Sequence, residues 1–507
     1  MDLLLSSFGQ IITPEIILLL FAGVVIGIIF GSIPGLTGGM AIALCLPFTF
    51  RMDAVPSFAL LLALYIGGIS GGLISAILIN IPGTPASVAT CFDGHPMAKK
   101  GLGGKALATG VIFSFFGTIF GILILMFLAP PLSQIALKFG VFEYFSVAIF
   151  SLSLVSVLLG KSMIKGLIAC LIGLFLASVG SAPIDGFPRF TFGIHAFDAG
   201  FAQVPSLVGL FALTEIFKAA KDRSSYHITT KDSKIKGVGF TGKEFVKQVP
   251  NGIIASIIGT VVGIMPGIGA ATCNVMSYGV IKRLSKHPEK FGTGIMDGVV
   301  ASEASNNASI GGAMVPLITL GIPGDAVTAI LLGAFTMQGL QPGPMFFTAN
   351  MNFIYILFAL LLLGSFMTVI VQFFGMRGFI KVLKIPKSVL LPMVLVMCLV
   401  GSFAINNVAF DMWTFLIFGT VGFFLSKFGF PLTPVIMGYV LGPIAEIYLR
   451  RGLMVGRGSF LPFITHPISG VFLGMSIIII VYTFISQTLQ ARKKNPAKGK
   501  IANVYDD

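Results

Sequence analysis

Apolar residues fill long, nearly unbroken stretches of the chain, and short polar segments separate them. The stretches run roughly over 16–50, 56–81, 104–130, 141–160, 164–182, 203–217, 250–281, 308–335, 351–375, 388–405, 409–448 and 468–488. They do not alternate with period two, and most approach or exceed the ~20 residues that one membrane-crossing helix needs. Without water to satisfy the backbone, a spanning segment is a helix or part of a closed barrel, and long unalternating stretches point to helices. The pattern predicts an all-α polytopic membrane protein with about 10–12 transmembrane helices. Several stretches are too long for one plain span or are split by Pro-Gly, and these read as broken or re-entrant helices.

Composition sharpens this picture. Of 507 residues, 55% are hydrophobic and 10% charged, against about 25% charged in soluble domains. A soluble enzyme, a disordered scaffold and a secreted disulfide module are excluded. The net charge of +14 would suggest nucleic acid in a soluble protein. Here the basic residues form short clusters between apolar stretches, which is the pattern of cytoplasmic anchors, so no nucleic-acid partner is expected. Cys45, Cys91, Cys170, Cys273 and Cys398 are far apart and read as small core residues. His95, His195, His227, His287 and His466 lack metal-ligand spacing, so no transition-metal site is expected.

The first 15 residues hold Asp2 and Glu15 but no Lys or Arg, and the first basic residue is Arg51. No cleavable signal is expected, and the stretch from Ile16 reads as a first span that starts outside the cytoplasm. Segment 218–247 carries a net +5 and reads as a basic cytoplasmic linker. It divides a first transmembrane half, 1–217, from a second, 248–490, and a basic cytoplasmic tail follows at 491–507. Arg377, Lys381, Lys384 and Lys387 also read as cytoplasmic, whereas Arg450, Arg451 and Arg457 leave the C-terminal topology open.

The two halves share motifs in the same order. Gly27-Ile-Ile-Phe-Gly31-Ser-Ile-Pro34-Gly35 and Gly259-Thr-Val-Val-Gly263-Ile-Met-Pro266-Gly267 both read GxxxGxxPG, 232 residues apart. Ser70-Gly71-Gly72 leads to Ile81-Pro82-Gly83-Thr84-Pro85, and Gly311-Gly312-Ala313 leads to Ile322-Pro323-Gly324-Asp325, 241 residues apart. An internal repeat is therefore expected. Residues 1–15 lack basic charge while Lys243 and Lys247 precede the second copy, so the halves enter from opposite sides and the repeat is inverted, as in many secondary transporters.

Pro removes a backbone donor and Gly relaxes the chain. In lipid, each freed polar group costs several kcal/mol unless a partner satisfies it, so paired Pro-Gly breaks point to a wet cavity. Broken helices present N–H groups to an anion and carbonyls to a cation. The expected anion-binding residues are Pro34, Gly35, Thr37, Gly38, Asn80, Pro82, Gly83, Thr84, Pro85, Ser87, Pro266, Gly267, Asn274, Pro323 and Gly324. The expected cation-coupling residues are Asp93, Glu303, Asn306, Asn307, Asp325 and Thr328. Glu303, Asn306 and Asn307 share one helical face and supply oxygens suited to Na⁺ or a proton. The competing reading makes Glu303 the end of an amphipathic surface helix that begins near Asp297. Lys99, Lys100 and Lys105 read as anchors. Gly101-Leu-Gly-Gly-Lys105-Ala lacks P-loop spacing, so no enzyme is expected and energy comes from an ion gradient or a separate ATPase subunit.

These residues carry a resemblance. Ile81-Pro-Gly-Thr-Pro-Ala-Ser with Asp93-Gly-His-Pro-Met97 resembles the large permease subunit of tripartite tricarboxylate transporters (TctA-like), as do Pro34-Gly35-Leu36, Leu46-Pro47-Phe48-Thr49-Phe50, Phe291-Gly292, Glu303-Ala-Ser-Asn-Asn307, Leu320-Gly-Ile-Pro-Gly324 and Gly339-Leu-Gln-Pro-Gly-Pro344. The resemblance is motif-dense over about 20–345. It implies a multi-pass protein of a bacterial inner membrane, a periplasmic solute-binding protein and a small four-span membrane subunit as partners, and tri- or dicarboxylates such as citrate as substrates. It also implies coupling to Na⁺ or H⁺ with no other cofactor. The resulting expectation is carboxylate symport with alternating access; the alternatives are a passive carboxylate channel and a stand-alone carrier without a binding protein.

Overall fold

The computed structural model describes residues 2–158, 162–221, 239–382 and 387–494. Most of the 218–247 linker and of the 491–507 tail, and part of the basic 377–387 segment, lie outside the described residues. The chain forms two compact units, 1–138 with 201–424, and 139–200 with 425–507. Each unit draws residues from both sequence halves.

The first unit begins with α1 (Asp2–Ile11), α2 (Pro14–Ser32), α3 (Gly38–Thr49), α4 (Ala54–Ile79), α5 (Thr90–Met97) and α6 (Gly103–Ala136). In the second unit, α7 (Val141–Leu158) and α8 (Met163–Ala177) precede a short antiparallel pair, β1 (Gly180–Ser181) and β2 (Pro188–Arg189). The first unit resumes with α9 (Gln203–Val208), α10 (Thr214–Lys221), α11 (Gly242–Ile264), α12 (Gly269–Leu284), α13 (Met296–Leu320), α14 (Ala326–Met337), α15 (Pro344–Ala349), α16 (Met351–Val382), α17 (Lys387–Asn406) and α18 (Ala409–Lys427). The second unit closes with α19 (Leu432–Val455), α20 (Leu461–Thr465) and α21 (Pro467–Lys494). Among the described residues nine helices are long and apolar enough to cross a membrane, and four more apolar helices are shorter. The protein is an all-α polytopic membrane protein.

In the second unit, helices meet through small residues. A methyl group on Gly173 would fall 2.0 Å from the Val435 carbonyl oxygen, and one on Gly438 would fall 2.3 Å from that of Cys170. Such contacts let α8 and α19 touch backbone to backbone. Arg189 donates to Glu446 at 2.7 Å, and Arg450 donates to Asp185 at 2.8 Å and reaches Glu446 at 2.9 Å. The Arg450 hydrogen bond holds the Asp185 carboxyl below the usual carboxylate range.

In the first unit all four Pro-Gly motifs end one helix and begin another. Thr13 caps α2, which Pro14 and Glu15 open, as N-terminal signals predict. The helix stops at Ile33, because Pro34 has no N–H to continue the ladder, and Gly35 turns the chain at φ +93°. In the second half α11 stops at Met265, and Gly267 turns at φ +80°. Helix α4 ends on Asn80 and α13 on Gly321, 241 residues apart and both in the left-handed conformation. Asn and Gly are the residues that adopt it most readily. The packing repeats as well. A methyl on Gly27 would meet the Leu64 oxygen at 2.7 Å, and one on Gly259 the Ser305 oxygen at 2.0 Å. Gly71 faces the Ile28 oxygen at 2.6 Å, and Gly312 the Thr260 oxygen at 2.4 Å. The same offsets of 232 and 241 relate every partner, so the α2–α4 and α11–α13 pairs are one packing motif used twice.

The two copies interlock. Helix α6, which follows the first copy, packs on α13: methyls on Gly117 and Gly121 would meet the Ala304 and Ala308 oxygens at 2.1 and 2.3 Å. Helix α16, which follows the second, lies against α4, where Gln372 Nε2 donates to the Ser70 carbonyl at 3.0 Å. Helices α4 and α13 are consequently buried on every side, from Ser57 to Leu78 and from Gly298 to Thr319.

Candidate functional site

Helix α13 is the unusual element, because a helix buried on every side is normally apolar all round. Its buried span holds Ser302, Glu303, Ser305, Asn306, Asn307 and Ser309, each at 0% exposure. The surface-helix reading of Glu303 is overturned. Asp297 does lie near the helix start, but Gln248 and Asn251 of α11 donate to its carboxylate at 3.0 and 3.1 Å.

A network of neutral donors surrounds the Glu303 carboxylate. Thr90 donates to Oε1, Ser114 to Oε2 at 2.9 Å, and Asn306 Nδ2 approaches Oε2 at 3.4 Å. Thr90 Oγ1 also pairs with Ser302 Oγ at 2.7 Å. Asn307 Nδ2 donates to Asn306 Oδ1 at 2.6 Å, and Asn307 Oδ1 accepts from Ser70 at 2.6 Å and Thr118 at 3.4 Å. Among the described residues no Lys, Arg or His pairs with Glu303. A buried carboxylate without a positive partner is costly. The site therefore favours a proton on Glu303 or a cation beside it.

The other acidic residues sit elsewhere in hydrogen-bonding terms. Asp325 caps α14, accepting from Thr328 N and Oγ1 at 2.7 Å each, and Tyr65 of α4 donates to its other oxygen at 2.7 Å. Thr328 is thus joined to Asp325, and neither shares a hydrogen bond with Glu303. Asp93 is buried against the 292–295 loop. It accepts from the N–H groups of Gly292, Gly294 and Ile295 at 3.0, 2.7 and 3.1 Å and from Tyr278 at 2.9 Å. It ties α5 to the start of α13. Asp93→Ala leaves these four donors without their acceptor, and a loss of about 3 kcal/mol of stability is expected, against about 1 kcal/mol for Tyr278→Phe. Thermal unfolding of the purified variants checks the ranking; equal midpoints would refute the tie.

The Pro-Gly breaks pair within each half. A methyl on Gly83 would fall 2.1 Å from the Gly31 carbonyl oxygen, and Gly267 N donates to Gly324 O at 2.7 Å. Each pair is reached from the opposite half. Asn306 and Asn274 donate to the Ala86 carbonyl, the former at 2.8 Å, while Tyr65 reaches Asp325. Tyr65 and Asn306 are themselves 241 residues apart. Pro34, Gly83, Thr84, Ser87, Pro266, Gly267, Asn274, Pro323 and Gly324 are buried, whereas Asn80 and Pro85 are exposed and Pro82 is partly so. Thr37 is engaged as the cap of α3, accepting from Met40 N at 3.2 Å, and Gly38 lies against Gly68. Among the described residues, Thr84 Oγ1 and Asn274 Oδ1 are buried without a hydrogen-bond partner. The Thr84 hydroxyl can donate to an anion there, whereas the Asn274 oxygen can only accept.

Sequence reasoning missed Tyr65, Ser70, Ser114 and Thr118. Each is a lone polar residue in an otherwise apolar or small-residue stretch. The four-residue spacing of Ser114 and Thr118, which puts both hydroxyls on one face of α6, was the available signal. The expected anchor Lys105 pairs with Glu244 at the start of α11, and Lys99 and Lys100 are exposed. All five cysteines are buried and free.

Comparison with known proteins places these motifs in a wider group. The profile of the Tripartite tricarboxylate transporter TctA family matches residues 17–437. An "Uncharacterized 52.8 kDa protein in TAR-I ttuC' 3'region" of Agrobacterium vitis is 36% identical over 489 residues, covering 96% of this chain and 97% of that protein. An "Uncharacterized protein in TAR-II ttuC' 3'region" of the same organism is 34% identical over 227 residues, covering 45% of this chain and 94% of that protein. No solved structure matches the chain.

Proposed function

Because the chain belongs to the Tripartite tricarboxylate transporter TctA family, we propose that it is the large permease subunit of a binding-protein-dependent secondary transporter that imports tri- or dicarboxylates by Na⁺ or H⁺ symport. It works in a bacterial inner membrane with a periplasmic solute-binding protein and a small four-span subunit. The carboxylate binds at the paired breaks, where the Thr84 hydroxyl, without a partner among the described residues, is free to donate to it, and Glu303 with Asn306 and Asn307 handles the coupling cation. The observation that carries this reading is the Glu303 carboxylate, fully buried and, among the described residues, held only by neutral donors. Such a group stays charged only with a cation beside it, so cation binding and the electrostatics of the anion site depend on each other. Each elementary charge moved through 100 mV contributes about 2.3 kcal/mol, so two surplus cations support strong accumulation.

The test is uptake of labelled citrate and related di- and tricarboxylates into proteoliposomes that hold the complete system. Accumulation above the external concentration is expected only with an imposed Na⁺ or pH gradient and with the binding protein present. Equilibration without accumulation would favour a passive channel; gradient-driven uptake without the binding protein would favour a stand-alone carrier. An inverted repeat makes a separate prediction. Single cysteines at Leu5 and Ile235 are expected to label from opposite sides of the membrane, and labelling from one side would refute the inversion.

A further inference from the structure

Helices α4, α6 and α16 line a narrow crevice, none of it wide enough for a water molecule. Its polar lining is Ser70, Ser114, Thr118, Ser365, Thr368 and Gln372, each 4% exposed or less. The disposition of protons around it is informative. Ser70 donates to Asn307 Oδ1, Ser114 to Glu303 Oε2, Thr118 to the Ser114 carbonyl at 2.9 Å, and Thr368 to the Gly364 carbonyl at 2.8 Å. A hydroxyl has one proton and two lone pairs, so these four oxygens have only acceptor capacity left. Gln372 continues the pattern. Its Nε2 is fixed on the Ser70 carbonyl, which sets the amide orientation, and its Oε1 is buried with no partner among the described residues. A buried acceptor left without a donor is costly.

We propose that this pocket is a sodium site, distinct from the anion-binding breaks, in which Gln372 Oε1 and the Ser70, Ser114, Thr118 and Thr368 oxygens replace water around the ion. Hard cations take oxygen ligands, and neutral oxygens without a carboxylate in the lining suit a single positive charge better than a double one. Hydroxyl and amide oxygens are too weakly basic to hold a proton, so the site selects a metal cation over H⁺. Ser114 belongs to both the pocket and the Glu303 carboxylate, and Ser70 and Thr118 to both the pocket and Asn307. Filling the pocket therefore polarises the hydroxyls that hold the Glu303 network and couples the two. The proposal rests on the symport reading and specifies a cation for it, with Gln372 and Thr368 as the residues that set its affinity.

The test pairs radioactive-sodium binding by the purified full chain with the Na⁺ dependence of uptake by the reconstituted system. Gln372→Leu is expected to weaken sodium binding about tenfold or more, the loss of one buried ion–dipole ligand, and to lower the Hill coefficient for Na⁺ from about 2 to about 1. The half-saturating carboxylate concentration at saturating Na⁺ should change little. Thr368→Val, nearly isosteric, is expected to do the same more weakly and carries the test if Gln372→Leu fails to insert. Sodium-driven uptake with an unchanged Na⁺ curve in both variants would overturn the pocket and leave the symport reading standing. Uptake driven by protons and indifferent to Na⁺ would also overturn the sodium site alone. Uptake by the wild type that no cation gradient drives would overturn both.

Discussion

Glu303→Gln is expected to lower cation-coupled uptake about a hundredfold while the protein still reaches the membrane and folds. The size follows from the interaction removed: hydrogen bonds and ion contacts to a buried charge are worth about 1.5–3 kcal/mol, and each 1.4 kcal/mol is a factor of ten. Folding should survive because glutamine keeps the shape, and its carbonyl accepts from one of the hydroxyls at Thr90 and Ser114 that now hold the carboxylate. The amide also removes a charge that has no basic partner among the described residues, so stability is expected to hold or rise. The discriminating measurement is therefore a pair: uptake under a gradient, and the midpoint of thermal unfolding. Loss of uptake with an unchanged or higher midpoint supports a coupling role. Loss of both would make Glu303 a structural residue, and wild-type uptake would remove it from the mechanism. Asn307→Ala should also abolish uptake, but with lower stability, because it strips an acceptor from Ser70 and a donor from Asn306.

Gly83→Ala is expected to prevent folding, a large effect for one methyl group. That methyl would lie 2.1 Å from the Gly31 carbonyl oxygen, 2.7 Å from Ser75 Oγ and 3.0 Å from Gly72 Cα. Two of the three obstacles are backbone, which cannot rotate away, so the cost reaches or passes the upper end of the usual overpacking range, about 3 kcal/mol. Gly324→Ala is its counterpart, with Ala313 Cα at 2.6 Å and the Gly263 oxygen at 2.7 Å, and is expected to fail likewise. Gly279→Ala is the control, since nothing lies within 4 Å of the added methyl. It should be neutral or slightly stabilising through reduced chain freedom in the unfolded state. Size-exclusion profiles of the membrane-extracted variants check the contrast; monodisperse Gly83→Ala at wild-type yield would contradict the close approach of the breaks.

The fold was legible because its two strongest signals are local. Runs of apolar residues predict helices, and Pro followed by Gly predicts where a helix stops, and both hold at Pro34, Pro82, Pro266 and Pro323. The repeat was legible because close helix contact requires Gly at fixed spacing, which leaves a mark in the sequence at Gly27 and Gly31 and again at Gly259 and Gly263. The site was only partly legible. Glu303, Asn306 and Asn307 stood out by polarity and by their shared helical face. Ser70, Ser114 and Gln372 did not, because each meets the network through long-range packing that no local pattern encodes. Asp93 and Asp325 shared the composition signal of Glu303, yet the folded chain gives them to a loop and a helix cap. Spacing along one helix predicts neighbours; it does not say which carboxylate will find backbone N–H groups.

The reciprocal reach of Tyr65 to Asp325 and of Asn306 to Ala86 bears on ancestry. A half-length polypeptide with one such helix and one such corner holds both members of the contact but does not join them to each other. It would complete the contact only with a second copy of itself. Joining two such copies in one chain would turn an intermolecular seal into an intramolecular one and leave each free to differ, as the phenol of Tyr65 and the amide of Asn306 do.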